Sequence, residues 1–401
     1  MQAVGVIVEY NPFHNGHLHH ISEAKRTSGA DVVVAVMSGH FLQRGEPALV
    51  DKWTRAKMAL KAGVDLVVEL PYVFATGQAT QFAAGSTFLL NALKCQSFAF
   101  GSEAGSIEPF LNTYRLMQSE HKLYNEKIKE AMQLGNSYPK ALHIAFEAIK
   151  QTSDVPLVDL NQPNNILGYH YVEAALKQNL AIKPQTIQRI QAGYHDDINF
   201  EQSIASATGI RKALFEEKNL AMIEKFVPRT TYEELMHWHE TNTHFINWEQ
   251  IWPLLQYAIL RHTPEQLKRY ADVSEGLENS LLKHAHAETF QQFMANIKSK
   301  RYTWTRLQRT FLHIFIGIEK KTLHAFQTPS YIRVLGMTEN GQRYLSSVKK
   351  ELQLPLISRV GATDDALLAI DCHATTMYNL ARMHLGIKKM SEDFKTPPIR
   401  L

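Results

Sequence analysis

The stretch that decides the fold is residues 3–17, which read AVGVIVEYNPFHNGH. The β-branched run at 4–8 predicts a buried strand, and residues 16–27 have the apolar spacing of a helix. A strand that passes through a short polar turn directly into a helix is the start of a βαβ unit. This segment therefore predicts an α/β fold with its first helix beginning near Gly16.

The same alternation continues outward from this segment. Strand-like runs at 31–37, 64–70 and 97–100 are separated by helical patterns at 52–62 and 81–93. We expect further helices at 164–177 and 206–215, with a β-like stretch at 187–190 between them. Beyond about residue 228 the pattern is mostly helical and richer in aromatic residues. The sequence predicts a Rossmann-like domain with a parallel sheet over residues 1–225, followed by a mostly α-helical C-terminal domain over 226–401.

The turn after the first strand carries two histidines at a spacing suited to phosphate chemistry. In open α/β sheets ligands bind at the carboxyl ends of the strands, and a helix N-terminus there favours anions. His14 and His17 lie on one face of the first helical turn, and Gly16 permits close approach of a ligand. Imidazole donors beside an α-phosphate stabilise the charge that develops as a nucleophile adds. The pattern predicts nucleotidyl transfer from ATP, with His14 and His17 as catalytic residues.

Two other interpretations of the histidine pair stay open on these residues alone. The pair could cap the helix in a purely structural turn, or it could bind zinc. A zinc site needs further ligands, and no His-Glu-x-x-His or Cys-x-x-Cys pattern accompanies the pair. The sequence therefore predicts no metal-binding residues.

A second phosphate-binding element is predicted at residues 203–211, which read SIASATGIR. Ser206 and Thr208 would open a helix with free amides, and Arg211 would meet the β- and γ-phosphates one turn later. A plain Ser/Thr cap with a solvated arginine is the structural alternative. In the loop at 38–48, Arg44 is a candidate for holding an anion, or for pairing with Glu46 or Asp51.

Composition and charge limit the classes of protein that remain. The chain has 401 residues, 45% of them hydrophobic and 20% charged, with a formal charge of +4, which argues against a disordered or coiled-coil protein. Two cysteines are too few for a disulfide framework and fit a cytoplasmic location. No run of eighteen apolar residues occurs, so we expect no membrane span.

The positive charge is concentrated in one part of the second half. Residues 281–330 contain eight basic and two acidic residues, with aromatic residues between them in the run KSKRYTWTR at 298–306. Such a stretch can contact RNA phosphates and stack on bases. The predicted RNA-binding residues are Lys298, Lys300, Arg301 and Arg306. A solvated helix face with aromatic residues in the core is the alternative.

The His-x-Gly-His turn resembles the signature of the nucleotidyltransferase superfamily that includes the pantetheine-phosphate and nicotinate-nucleotide adenylyltransferases. Across the whole chain the sequence is similar to the family of bacterial tRNA(Met) cytidine acetate ligases. The motifs that carry this resemblance are 5–17 (GVIVEYNPFHNGH), 43–48 (QRGEPA), 51–53 (DKW), 69–71 (ELP), 100–103 (FGSE), 163–168 (PNNILG), 192–196 (AGYHD) and 300–303 (KRYT).

The resemblance implies an enzyme that activates acetate with ATP to acetyl-adenylate, without acetyl-CoA. The same enzyme would then acetylate N4 of the wobble cytidine, position 34, of elongator tRNA(Met). Magnesium is expected on the ATP phosphates, held mostly through water. The nucleotide contacts implied by the resemblance are Ile7, Val8, Glu9, Tyr10, Asn11, Pro12, Phe13, His14, Asn15, Gly16, His17, Leu18, His19, His20, Gly101, Arg189 and one of the pair Asn164 and Asn165.

Two alternative functions remain open at this point. A small-molecule adenylyltransferase would release a dinucleotide and ignore tRNA. A non-catalytic RNA-binding protein could use the nucleotide-binding fold as a scaffold.

Overall fold

An eight-stranded mixed sheet is the centre of the protein. The structure is a computed structural model, and it describes residues 1–136, 138–189, 204–217, 219–242, 244–299, 301–362, 364–384 and 392–401. The strands are β1 Ala3–Val8, β2 Val32–Ser38, β3 Leu66–Leu70, β4 Ser97–Ser102, β5 Lys183–Gln188, β6 Ile332–Met337, β7 Leu356–Ile357 and β8 Ile399–Arg400. Their order is β5-β4-β1-β2-β3-β6-β7, with β8 also paired to β6.

The first five strands are parallel, and the order of the strands reverses between β1 and β4. Successive residues of β2 face opposite sides of the sheet: Val32, Val34 and Val36 join one buried cluster, whereas Val33 and Ala35 join the other. Both faces of the sheet are therefore covered, as the apolar run predicts. The reversal beside β1 leaves a crevice at the carboxyl ends of β1 and β4.

Helices cover both faces of this sheet. Those before residue 220 are α1 Asn15–Ser28, α2 Lys52–Lys61, α3 Tyr72–Ala75, α4 Ala79–Ala92, α5 Glu108–Ser119, α6 His121–Gln133, α7 Tyr138–Lys150, α8 Pro163–Lys177 and α9 Ala207–Glu216. Those after it are α10 Arg229–Asn242, α11 Trp248–Leu260, α12 Pro264–Leu267, α13 Leu277–His284, α14 Phe290–Ile297, α15 Trp304–Ile316, α16 Lys320–His324, α17 Glu339–Val348, α18 Ala366–His384 and α19 Glu392–Lys395. Short 3₁₀ segments lie at Leu220–Phe226, Lys349–Glu351 and Val360–Ala362. None of the helices in the described ranges is long and apolar enough to cross a membrane.

The predicted α/β class is confirmed, and the sheet extends further than the sequence indicated. The structure forms β6, β7 and β8 from residues 332–400, and β6 runs antiparallel to β3. These strands escape pattern recognition because β7 and β8 have two residues each, and β6 carries Arg333 and Gly336 within it. The division between residues 225 and 226 stays a prediction, and residues 332–400 complete the sheet that the first half begins.

A buried ion cluster joins β3, α2, β6 and α19. Lys52 Nζ lies 2.8 Å from Glu69 Oε1 and 2.8 Å from Asp393 Oδ1, and Arg333 NH2 lies 2.7 Å from the same Asp393 atom. All four side chains are at most 5% exposed. Removing one partner from such a group leaves an uncompensated buried charge. We refer to Lys52, Glu69, Arg333 and Asp393 as the buried ion cluster.

Candidate active site

A cavity of about 450 Å³ opens at the carboxyl ends of β1 and β4, where the strand order reverses. Most of the residues that the sequence singled out line this cavity. They are Ile7, Val8, Glu9, Tyr10, Asn11, His14, Gly16, His17, His19, His20, Gly101, Asn164, Arg189, Ser206, Thr208 and Arg211. The volume is within the range of small-molecule sites.

His14 and His17 form the N-terminal cap of α1, and this cap fixes their tautomers. Gly16 N donates to His14 Nδ1 at 3.1 Å, and His14 N donates to His17 Nδ1 at 3.3 Å. The rings are stacked with their centroids 3.7 Å apart. A neutral imidazole whose Nδ1 accepts a hydrogen bond carries its proton on Nε2. Each ring therefore offers an Nε2–H donor.

The surroundings of the pair keep both rings neutral. Burial, reinforced by the positive charges of Arg189 and Arg211, lowers the pKa of His14 to about 3. Burial and the neighbouring imidazole of His14 hold the pKa of His17 well below its usual value. Around neutral pH the two histidines are hydrogen-bond donors without charge.

The turn between β1 and α1 is held from outside the cavity. Leu49 N donates to Asn11 Oδ1 at 2.7 Å, and Tyr10 has a φ of 50°, which is unusual for a bulky residue. The Tyr10 ring packs 4.6 Å from the ring of Phe13, which is fully buried. Asn11 and Phe13 therefore shape the turn that presents the histidines.

The predicted second element lines the same cavity as the first. Ser206 Oγ accepts from Gly209 N at 3.1 Å and caps α9, so this helix N-terminus also faces the cavity. Arg211 NH1 donates to Asn11 O at 2.9 Å, and its NH2 lies 2.9 Å from Glu46 Oε2. Arg211 thus links the histidine turn to the loop after β2. It is held by a carboxylate rather than solvated.

The end of β4 and the start of α8 form the third wall. Arg189 NH1 donates to Asn164 Oδ1 at 3.2 Å, and a Cβ at Gly101 would come 3.3 Å from Arg189 Cγ. Asn165 has a different role: its Oδ1 accepts from Glu103 N at 3.1 Å, and its side chain is 2% exposed. Of the two asparagines, Asn164 lines the cavity and Asn165 holds the turn after β4.

Five of the predicted nucleotide contacts do not line the cavity. Phe13 and Leu18 pack into the core on the α1 side, and Asn15 Nδ2 donates to Lys225 O at 2.8 Å. Pro12 is buried behind the turn, and Asn165 is engaged as described. The motif at 192–196, Ser203 and Lys300 lie outside the described residues. The continuous stretch from Ile7 to His20 therefore alternates between cavity wall and packing.

The loop at 40–48 is a part of the site that sequence reasoning only outlined. Gln43 N donates to Glu9 Oε1 at 2.7 Å, and Leu42, Gln43, Arg44 and Glu46 line the cavity. Glu46 pairs with Arg211, and Asp51 caps α2 by accepting from Thr54 N at 2.7 Å. We refer to residues 40–48 as the acceptor loop.

The acceptor loop packs against the helical half. Trp248 Nε1 donates to Gly45 O at 3.1 Å, and Arg309 NH1 donates to Gln43 O at 3.4 Å. Gly45 has a φ of 79°, and a Cβ there would come 2.3 Å from Arg309 N. No periodicity in the sequence predicts this contact, because it joins residues more than 200 positions apart.

Arg55 is a further residue that the sequence reading missed. It is fully buried and donates to Glu9 O at 2.7 Å, to Ser38 O at 3.1 Å and to Gly39 O. It thereby ties the ends of β1 and β2 together beneath the cavity. An arginine on the apolar face of α2 is the sequence signal that could have indicated it.

Three of the predicted RNA-binding residues, Lys298, Arg301 and Arg306, lie apart from the cavity wall. Lys298 is exposed, Arg301 NH1 lies 3.1 Å from Glu275 Oε2, and Arg306 Nε lies 3.2 Å from Asp272 Oδ1. The Arg306 guanidinium also lies 5.1 Å from the centroid of the Tyr302 ring. The positive charge of this stretch is partly balanced by acidic residues that come from the preceding segment.

Within the described ranges, no group of three or more His, Cys, Asp or Glu side chains is arranged to hold a metal ion. Among the residues that the structure describes, the cavity wall carries two carboxylates, Glu9 and Glu46.

Comparison with known proteins gives consistent matches over the full length. Residues 1–393 match the HIGH Nucleotidyl Transferase family. A Lysinibacillus sphaericus (strain C3-41) protein named tRNA(Met) cytidine acetate ligase is 55% identical over 402 residues, which cover 100% of both chains.

Solved structures agree with the fold. The apo crystal structure of Thermotoga maritima TmcAL superimposes with a TM-score of 0.90 at 32% identity, covering 100% of both chains. The structure of the same protein bound with alpha-thio ATP gives a TM-score of 0.89 at 33% identity, again with 100% of both chains covered.

Proposed function

The chain belongs to the HIGH nucleotidyl transferase family and, within it, to the tRNA(Met) cytidine acetate ligases, and from this premise we propose that it joins acetate to tRNA(Met) with ATP. In the proposed reaction acetate and ATP form acetyl-adenylate and pyrophosphate. The acetyl group then passes to N4 of the wobble cytidine of elongator tRNA(Met), and AMP leaves. The observation that carries the proposal is the pair of neutral Nε2–H donors at the N-terminus of α1, inside a cavity at the strand reversal.

The first step uses the donors that converge on the cavity. We infer that His14 and His17 hydrogen-bond the non-bridging oxygens of the α-phosphate, whose charge grows as the acetate oxygen adds to phosphorus. The two helix N-termini and Arg211 receive the β- and γ-phosphates. Because the cap and the Glu46 ion pair hold these donors in place, little reorganisation is needed when pyrophosphate leaves.

The adenosine is assigned to the third wall. Gly101 leaves space beside Arg189, and the Arg189–Asn164 hydrogen bond fixes both side chains at the rim. We infer that Asn164, rather than Asn165, contacts the nucleotide, because the Asn165 side chain already bonds the backbone of the turn after β4.

Magnesium fits the donor set of this cavity only as an ion shared with the triphosphate. The carboxylates that line the described cavity are too few for an all-protein site, whereas Mg²⁺ binds readily to triphosphate oxygens and keeps several waters. When bound, it would neutralise charge on the leaving pyrophosphate. A cytoplasmic location, where tRNA, ATP and acetate meet, is part of the same proposal.

The tRNA is assigned to the helical half. Lys298, Lys300, Arg301 and Arg306 would contact its phosphates, and the wobble base enters the cavity from the unpaired anticodon loop. Arg301 and Arg306 would exchange Glu275 and Asp272 for phosphate oxygens on binding. The unpaired state of the wobble base makes this entry less costly than extracting a base from a duplex.

Labelled acetate, ATP and bulk tRNA test the proposal directly. We expect label in RNA only when ATP is present, and we expect nuclease digestion to recover it as N4-acetylcytidine from the wobble position of elongator tRNA(Met). Acetyl-CoA in place of acetate and ATP serves as the control and should give no labelled RNA. Pyrophosphate exchange without RNA labelling would instead favour a small-molecule adenylyltransferase, and tRNA binding without turnover a non-catalytic RNA-binding protein.

A variant that lacks two positive charges tests the proposed tRNA-binding surface in the same assay. Arg301→Gln with Arg306→Gln should raise the KM for tRNA and reduce the slope of affinity against salt, because fewer counterions are released. The rate of acetate-dependent pyrophosphate exchange should not change.

A further inference from the structure

Acetyl transfer to an amine requires a group that takes a proton, and the histidines of the site are unsuited to it. When the cytidine nitrogen attacks the acetyl carbonyl, it gains positive charge and must lose a proton. The Nδ1 atoms of His14 and His17 already accept backbone N–H groups, so their Nε2 atoms carry protons. Both rings can donate hydrogen bonds to the substrate but cannot accept the amine proton without losing the cap.

Glu9 and Glu46, the carboxylates of the described cavity wall, differ in their hydrogen-bond and ion-pair partners. Glu46 Oε2 lies 2.9 Å from Arg211 NH2, so this carboxylate is engaged by a guanidinium. Glu9 forms no ion pair at hydrogen-bonding distance within the described part of the chain. Its position directly after β1 places it on the same turn as the histidines.

Glu9 is held so that one carboxylate oxygen stays available. Gln43 N donates to Oε1 at 2.7 Å, and Ser38 Oγ donates to the same oxygen at 3.5 Å. Arg55 fixes the backbone by donating to Glu9 O at 2.7 Å. Among the described residues no donor bonds Oε2, and the side chain forms part of the cavity wall.

The environment of Glu9 favours proton uptake. Burial raises the pKa of this carboxyl above its usual value, although the Gln43 N–H and the charges of Arg44 and Arg55 act in the opposite direction. A carboxylate with a raised pKa is a stronger base than an exposed one and is still ionised around neutrality when the shift is moderate. The ionisable groups that face it are Arg44 and Glu46 of the acceptor loop, Arg55 of α2, Tyr171 of α8, and the two histidines of α1.

We propose that Glu9 is the general base of the acetyl-transfer step, with Oε2 accepting the proton that leaves the cytidine N4. The bond between N4 and the acetyl carbon forms as the bond between that carbon and the phosphate oxygen breaks. The bonding electrons leave with AMP, and the proton stays on Glu9 until solvent removes it. This role rests on the proposed function and adds a catalytic residue to it.

The test separates the two half-reactions in the Glu9→Gln variant. The glutamine Oε1 can still accept from Gln43 N, so the acceptor loop should keep its position. We expect acetate-dependent ATP–pyrophosphate exchange to fall far less than acetyl transfer, because the first half-reaction requires no base. Acetyl transfer from supplied acetyl-adenylate to tRNA should fall by about 10²–10⁴-fold, which is the usual contribution of a general base.

The pH profile gives a second readout that a merely structural role would not move. In the wild type, transfer should decline as the pH falls and Glu9 becomes protonated, and this acidic limb should be absent in Glu9→Gln. Glu9→Asp should restore part of the rate together with the limb. Glu23→Gln is the matched control, because Glu23 is bound to Arg26 on the outer face of α1 and should retain both half-reactions.

Two results would overturn the assignment. Equal loss of exchange and transfer would mean that Glu9 binds acetate or ATP, and normal transfer in Glu9→Gln would mean that another group takes the proton. Failure of the proposed function is distinguishable from both, since the wild-type protein would then fail to label tRNA at all.

Discussion

At the scale of single residues, His14 and His17 cap α1 and supply the hydrogen-bond donors that we propose for catalysis. The Nδ1 atom of each ring accepts a hydrogen bond from a backbone N–H group at the start of the helix. The Nε2 atom of each neutral ring therefore carries the proton. The sequence predicts the pair and its spacing. It cannot predict the tautomers, because these depend on backbone N–H groups whose directions only the folded turn defines.

A prediction at this scale concerns His14→Ser compared with His14→Ala. Serine keeps an oxygen that can cap α1 but removes the ring donor, whereas alanine removes both. We expect both variants to lose pyrophosphate release by about 10²–10³-fold while tRNA affinity is retained. Only His14→Ala should also lose about 1 kcal/mol of unfolding free energy, measured in urea. Near-normal pyrophosphate release in His14→Ser would contradict the proposed role of the ring.

The wild type and His14→Ser should also differ in how the free energy of unfolding depends on pH. His14 has a pKa lowered to about 3 in the folded protein, so between that value and the unfolded pKa the unfolded chain binds more protons. Stability should therefore decrease as the pH falls below about 6.5, by up to about 1.4 kcal/mol per pH unit for such a residue. His14→Ser should show a shallower decrease between pH 7 and pH 5.

At the scale of elements, the acceptor loop is the part that the sequence describes least well. The strands β1 to β4 follow from apolar runs, and their observed ends differ from the predicted ones by at most two residues. The loop has no such period. Its position depends on Trp248 and Arg309, which approach it only once the helical half has packed. The sequence therefore predicts correctly which strand ends form the cavity. It does not predict the part of the cavity wall that the acceptor loop forms.

A pair of glycines tests this contact. Gly45 and Gly29 both have positive φ, but a Cβ at Gly29 has no atom within 4 Å, whereas one at Gly45 would overlap the backbone of α15. Gly29→Ala should lower the free energy of unfolding by about 1–2 kcal/mol, from backbone strain alone. Gly45→Ala should cost a further 1–3 kcal/mol or so because the loop must move away from α15. Equal losses of unfolding free energy in urea for the two variants would show that the contact between the acceptor loop and α15 does not contribute to stability.

At the scale of the whole molecule, the two halves share one sheet. The antiparallel pairing of β6 with β3 and the buried ion cluster both bring residues after 330 against the nucleotide-binding half. Sequence patterns separated a sheet domain from a helical one because helices dominate the second half. Three short strands and four buried charges carry too little periodicity to reveal the connection.

Asp393→Asn should measure the strength of this connection. Lys52 and Arg333 outweigh burial and hold the pKa of Asp393 below its usual value, so it is ionised around neutral pH. Neutralising it leaves two buried cations opposite Glu69 alone, and we expect a loss of about 3–5 kcal/mol. Asp154→Asn, at an exposed position, is the control and should change urea unfolding little. A loss as small as that of the control would mean that the cluster does not hold the halves together.

The buried ion cluster also has a consequence for biosynthesis. A chain emerging from the ribosome exposes Lys52 and Glu69 long before Arg333 and Asp393 have been synthesised. Until then Lys52 lacks one of its two carboxylate partners and β3 has an open edge. The nucleotide-binding half would therefore wait in an incompletely packed state, in need of protection from aggregation, and would acquire activity only when translation of this segment is finished.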